Sequence, residues 1–226
     1  MAEQIHELKL TMRNIEPPIW RRVAIPSDAS LGVLHDVIQV AMGWDDDHLH
    51  EFVRKTGAKP RRRPLRLPFD LVGMVDRGEQ TFTDHRVEGM DGEDEGEFTL
   101  RDVCPQPKSK LCYRYDFGDG WEVDIRVVKL YEPAEGVTYP LCLAGERAGP
   151  PDDCGGVYGY YGLIEASQTP DDPESQERLE WLGGPFDPDA FDLKAINHGL
   201  AWIAKNWKPQ PTPAPKKRPR RPRRRE

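Results

Sequence analysis

What this 226-residue chain lacks narrows the field first. No apolar run approaches the roughly 20 residues a membrane-spanning helix needs, so a helical membrane protein is not expected. The opening MAEQIHELKL has no basic stretch followed by an apolar core. No export signal is read there, and a cytoplasmic setting is the expectation. Cysteine is sparse: Cys104, Cys112, Cys142 and Cys154, with no C-x-x-C pair. That spacing argues against a zinc ribbon or a thioredoxin-type redox site, and free thiols are expected. What remains is 37% hydrophobic and 31% charged, with 22 prolines, which describes a globular chain with long polar loops.

Basic residues are in deficit until the chain nearly ends. Residues 208–226 carry nine Lys/Arg against one Glu, a charge of +8, and six prolines. The remainder carries 23 basic and 38 acidic residues, a charge of −15. The tail has no aliphatic residue larger than alanine, so it is expected to be disordered. Lys216, Lys217, Arg218, Arg220, Arg221, Arg223, Arg224 and Arg225 make it a candidate DNA- or RNA-binding arm through phosphate contacts. The alternatives are a solubilising tail, an arm that folds back on the acidic body, or a nuclear-import-like run. The chain thus divides into a domain at 1–207 and a basic tail at 208–226.

Within the domain, Leu8, Leu10 and Met12 alternate as in a strand, and residues 19–25 read as a second one. Ser30 and Gly43 bracket a helix with Leu31, Leu34, Ile38, Ala41 and Met42 on one stripe. His35 borders that stripe. HLHEFV at 48–53 reads as a strand with His48, His50 and Phe52 on one face. Residues 55–68 form a basic loop and 88–97 an acidic loop, neither expected to hold regular structure. The segment 111–130 reads as a hairpin. A three-residue loop at 118–120 pairs Phe117 with Trp121 and keeps both apolar rows on one face. That register sets Asp116 opposite Glu122, a like-charge pair of the kind found at cation sites. Residues 139–162 are dense in Gly and Pro and are expected to be an ordered loop, with a short helix from about Tyr158 to Ser167. Asp187 and Pro188 mark the start of the last helix, with Phe186 and Phe191 as a hydrophobic staple and Trp207 as the last core residue.

PPIWRRVAIP (17–26), LGVLHDVIQVAMGW (31–44), HLHEF (48–52), YRYDFGDGWEV (113–123), YPLCLAGERAGPPDDCGGVYGY (139–160), LEWLGGPFDPDAFD (179–192) and NHGL (197–200) stand in order along the chain. Together they resemble the family named for the third open reading frame of an agrobacterial root-inducing (Ri) plasmid. Its members also carry an insertion-element passenger label of "TnpR" type. The resemblance implies a compact bacterial α+β domain, often carried on plasmids and transposable elements. It implies no recombinase chemistry here. Ser27 and Ser30 stand at a helix start, and Tyr158, Tyr160 and Tyr161 stand in a glycine-rich stretch.

The expected fold is a single α+β domain with a curved, mainly antiparallel sheet covered by the 30–42 and 187–207 helices. Three functions compete. The first is a non-catalytic accessory or interaction module with a nucleic-acid or protein partner. The second is a divalent-metal-dependent hydrolase or nuclease, with His48, His50 and Asp119 as metal ligands beside an acidic set of Asp116, Asp119, Glu122, Asp152 and Asp153. No other cofactor is indicated. The third is a groove lined by Trp20, Trp44, Trp121 and Trp181 that takes a basic peptide or a cationic ligand. The second reading requires that the 48–50, 116–122 and 150–156 segments meet in one cleft.

Overall fold

The computed structural model describes residues 4–56 and 78–207. The basic loop at 55–68, beyond its first two residues, and the tail at 208–226 lie outside them.

The alternation at the N-terminus gives strand β1 (Ile5–Met12), which pairs antiparallel with β2 (Trp20–Pro26). Helix α1 (Leu31–Met42) follows where its caps demand. The Ser30 hydroxyl accepts from the Val33 amide, and Gly43 ends the helix at a φ of 85°. Then come β3 (His50–Lys55), β4 (Glu79–Thr83), β5 (Glu93–Asp94) and a one-turn helix α2 (Leu100–Val103). The hairpin is β6 (Lys110–Tyr115) and β7 (Trp121–Tyr131), followed by β8 (Leu141–Glu146). Helices α3 (Gly156–Gln168), α4 (Pro173–Leu182) and α5 (Leu193–Asn206) complete the fold. The eight strands form one sheet in the order β5-β4-β3-β6-β7-β1-β2-β8, antiparallel throughout except for β4 and β5. The α+β, mainly antiparallel expectation holds.

The core is the α1-facing side of this sheet. Leu8, Leu10, Val23, Ile25, Tyr113, Val123 and Ile125 are buried against Leu31, Leu34 and Ile38 of the helix. Each large aliphatic side chain shielded there contributes about 1.5–3 kcal/mol. Two ion networks brace the sheet. Glu7, 2% exposed, sits between Arg22 and Lys129. Glu122 sits between Arg13 (2.7 Å) and Arg114 (3.0 Å).

Several expectations need correction. The hairpin register is Tyr115 opposite Trp121 and Arg114 opposite Glu122, so the loop is five residues, 116–120. The apolar rows stay on one face because the shift is by two residues, but Phe117 leaves the core and is 52% exposed. Asp116 and Glu122 are therefore not a cross-strand pair. Asp116 instead adopts a φ of 52° and accepts from the Gly118 amide at 2.9 Å and the Asp119 amide at 3.2 Å. The acidic 88–97 loop contains β5 and a 3-10 turn at Glu95–Glu97. The 139–162 segment contains β8, paired with β2. Helix α3 starts at Gly156, not Tyr158. The last helix begins at Leu193, capped by Asp192. Asp187 heads a separate turn, where its carboxylate accepts from the Asp189 amide at 3.0 Å. Trp207 caps the end of α5 and is partly buried against the core.

Candidate functional site

The site is assembled by the loop that follows α1. After Gly43 turns the chain, Trp44 drops into the core, stacks on Tyr115 at 4.6 Å and donates to the Pro150 carbonyl at 2.9 Å. The Asp45 amide donates to Asp152 Oδ2 at 2.9 Å. These bonds hold the 44–48 segment against the 150–153 loop. The same loop is held to the hairpin turn by Asp119, whose Oδ2 accepts from the Gly155 amide at 3.1 Å. Gly156 makes this approach possible. Its φ is 65°, and a side chain there would put a Cβ 2.6 Å from the Asp119 carbonyl oxygen. The Asp116 amide donates to the Leu49 carbonyl at 3.0 Å, so the turn is also joined to β3. The 48–50, 116–122 and 150–156 segments meet in one place.

His48 stands at that junction. Its Nε2 lies 3.2 Å from Asp153 Oδ1 and 3.8 Å from Asp116 Oδ2. Despite these contacts, this buried nitrogen completes no hydrogen bond. Asp116 is nearly buried, whereas the Asp153 side chain is 70% exposed, so the cluster opens to solvent on one side. Asp46, Asp116 and Asp153 are three of the six non-glycine residues with positive φ among the described residues. Strained backbone of that kind collects at functional sites.

A second group lies next to it. His35 Nε2 meets Asp46 Oδ1 at 2.8 Å, and His50 Nε2 meets buried Glu95 at 2.8 Å. Burial, reinforced by neighbouring His50, pulls the His35 pKa down to about 3. Asp152 is pushed up by burial, and the Tyr115 hydroxyl is its neighbour. The two groups perturb each other's titration, yet neither Asp152 Oδ1 nor the Tyr115 hydroxyl completes a hydrogen bond of good geometry.

The structure therefore brings His48, Asp116, Asp119, Asp152 and Asp153 together. Two expected members stand apart: Glu122 is taken up by Arg13 and Arg114, and His50 turns to Glu95. Asp119 ties the turn to the loop rather than facing His48. His48 precedes the strand, which begins at His50.

The four tryptophans do not share one groove. Trp44 and Trp121 are 5% and 1% exposed and belong to the core. Trp20 donates to Glu146 at 3.0 Å beside β8. Trp181, 56% exposed, lines a cavity of about 390 Å³ with Asp153, Cys154 and Arg178. The recombinase-type residues are structural where they are buried. Ser30 caps α1, and the Ser27 hydroxyl bonds to His6 Nδ1 at 2.8 Å.

Sequence reasoning placed His35 only at the border of the α1 stripe and did not single out Asp46 and Glu95. The available signal was Gly32. A glycine in the first turn of a helix suggests close approach, and here a Cβ would lie 3.3 Å from Glu95 Oε1.

Comparison with known proteins gives a consistent picture. The family described as "Plasmid pRiA4b ORF-3-like protein" matches residues 4–195. The chain is similar to an uncharacterised protein, y4hQ, of Sinorhizobium fredii, with 32% identity over 92% of this chain and 96% of that one. It is also similar to the crystal structure of a protein of unknown function from Methanosarcina mazei Go1. That match has a TM-score of 0.69 and 35% identity, over 86% of this chain and 98% of the other. No helix among the described residues is long and apolar enough to cross a membrane.

Proposed function

We propose a metal-dependent function for this chain, which belongs to the plasmid pRiA4b ORF-3-like family. His48, Asp116 and Asp153 hold a divalent ion and support metal-assisted hydrolysis. One observation carries this reading: the buried, unbonded His48 Nε2, 3.2 and 3.8 Å from two carboxylate oxygens. Ligands about 2.0–2.1 Å from a tetrahedral ion lie about 3.3–3.4 Å from one another, so both carboxylate oxygens already stand near ligand–ligand spacing from His48 Nε2. Imidazole with carboxylates suits zinc or manganese. Three protein ligands with an open side are the pattern of a catalytic rather than a structural ion. An ion there would supply an activated water at neutral pH.

The test uses full-length protein purified without an affinity tag. Elemental analysis is expected to find zinc or manganese near one equivalent or above, and added metal to raise the melting temperature of stripped protein. His48→Ala and Asp116→Asn are each expected to abolish the His48-dependent share of both. Hydrolysis of bis(p-nitrophenyl) phosphate is expected to depend on the metal and on His48. Protein that neither holds metal nor shifts with any divalent ion refutes the reading.

A second proposal concerns the tail. Nine Lys/Arg in residues 208–226 favour a nucleic-acid arm, consistent with an accessory role for the chain on mobile DNA.

A further inference from the structure

The cleft beside His48 contains a second set of groups that the reading above does not use. His35 from α1, Asp46 from the loop after it and His50 from β3 each bring a ligand-capable atom within 4.8 Å of the other two. The two imidazoles stack with centroids 3.7 Å apart and planes 8° from parallel. With Asp84 and Arg86 they line a cavity of about 360 Å³.

Hydrogen bonding decides which of these atoms is free. Glu95 is 3% exposed, and a carboxylate so shielded requires a donor. His50 Nε2, at 2.8 Å, is that donor. The proton is therefore on Nε2, and the lone pair is on Nδ1, which makes no hydrogen bond among the described residues.

His35 is different. Tyr113 is fully buried, and its hydroxyl accepts from Gln39 Nε2 at 2.8 Å. The Gln39 amide cannot be reversed, because its Oε1 accepts from the Asp46 amide at 3.1 Å. The Tyr113 proton is left with His35 Nδ1, at 2.7 Å, as its acceptor. His35 thus carries its own proton on Nε2 and donates it to Asp46 Oδ1 at 2.8 Å. An ion bound at His35 Nε2 would displace that proton and leave the buried Tyr113 hydroxyl without an acceptor. His35 orients Asp46 and is not itself a ligand.

We propose that His50 Nδ1 and the Asp46 carboxylate form a second divalent-cation site, with Glu95 and His35 as positioning residues. A ligating histidine that gives its other N–H to a carboxylate is the usual supporting arrangement of a metal centre, and it makes the ligand more basic. The ion class is a transition metal that takes imidazole together with oxygen, such as Zn²⁺ or Co²⁺. The Asp46 side chain is 57% exposed, so the remaining positions of the ion are filled by water. The site shares no ligand atom with the His48 cluster and stands or falls separately.

The experiment titrates Co²⁺ into stripped, tag-free, full-length protein and follows visible absorption and calorimetric stoichiometry. Two equivalents are expected. Asp46→Asn, which keeps the acceptor for His35 on an exposed side chain, is expected to remove one. Glu95→Gln is expected to weaken that same equivalent by about 10–100-fold. His48→Ala is expected to remove the other. A single equivalent that His48→Ala abolishes and Asp46→Asn leaves intact overturns this site and keeps the first. A single equivalent lost only in Asp46→Asn does the reverse. No uptake in the wild-type protein overturns both.

Discussion

Arg21 shows how much one side chain can hold at the residue scale. It is 3% exposed and donates to four backbone carbonyls rather than to a carboxylate. The acceptors are Ala41 at 2.8 Å, Trp20 at 2.9 Å, Glu146 at 2.8 Å and Arg147 at 2.8 Å. Ala41 lies in the last turn of α1, where a cation also complements the helix dipole. Burial lowers the Arg21 pKa to about 10, which leaves it charged at neutral pH. Its guanidinium lies 5.0 Å from the Phe191 ring, so one residue joins β2, α1, β8 and the segment before α5. Arg21→Ala strands these carbonyls and is expected to cost about 1–3 kcal/mol in urea unfolding. Arg21→Lys is expected to recover only part of that, because an ammonium cannot reproduce the planar fork. An unchanged midpoint in either variant contradicts this account.

At the element scale, close approach of loops matters more than strand or helix propensity. Gly156→Ala forces a side chain into a left-handed position and against the Asp119 carbonyl. The expected loss is about 1–3 kcal/mol, with weaker metal uptake, because the loop carrying Asp153 must withdraw from the hairpin turn. Unfolding and metal titration on the same variant test both halves. The sequence was legible where local chemistry was self-sufficient. Ser30 and Gly43 bracket α1 as expected, and the alternation in β1 and β7 matches their buried faces. It was less legible where two local signals competed. Gly118 and Gly120 suggest a short turn, yet Asp116 also leaves the ladder to cap it, which lengthens the loop by two residues. Asp187-Pro188 looks like a helix start, but Asp192 takes that role. Helix α4 has almost no apolar stripe and only Ser175 buried, so periodicity could not announce it. The site was legible in part. His48, Asp116 and Asp153 stood out by residue type, whereas Asp46 was one of three aspartates in a row and Glu95 sat in a loop that looked solvated.

At the scale of the whole molecule, charge separation dominates, with −15 in residues 1–207 and +8 in residues 208–226. Full-length protein is expected to bind duplex DNA with an affinity that falls steeply between about 50 and 200 mM salt. A chain ending at Trp207 is expected not to bind. Equal binding by both proteins in an electrophoretic shift assay refutes the tail proposal. The sheet raises a separate question, because an open eight-stranded sheet must end somewhere. Its β8 border is met by Asn197 of α5. The Asn197 side-chain oxygen accepts from the Cys142 amide at 2.7 Å, and its nitrogen donates to the Cys142 carbonyl at 3.0 Å. One carboxamide thus imitates the peptide group of a ninth strand. At that point a strand from another copy finds donor and acceptor already engaged, so the residue that anchors α5 also guards the sheet against edge-to-edge aggregation.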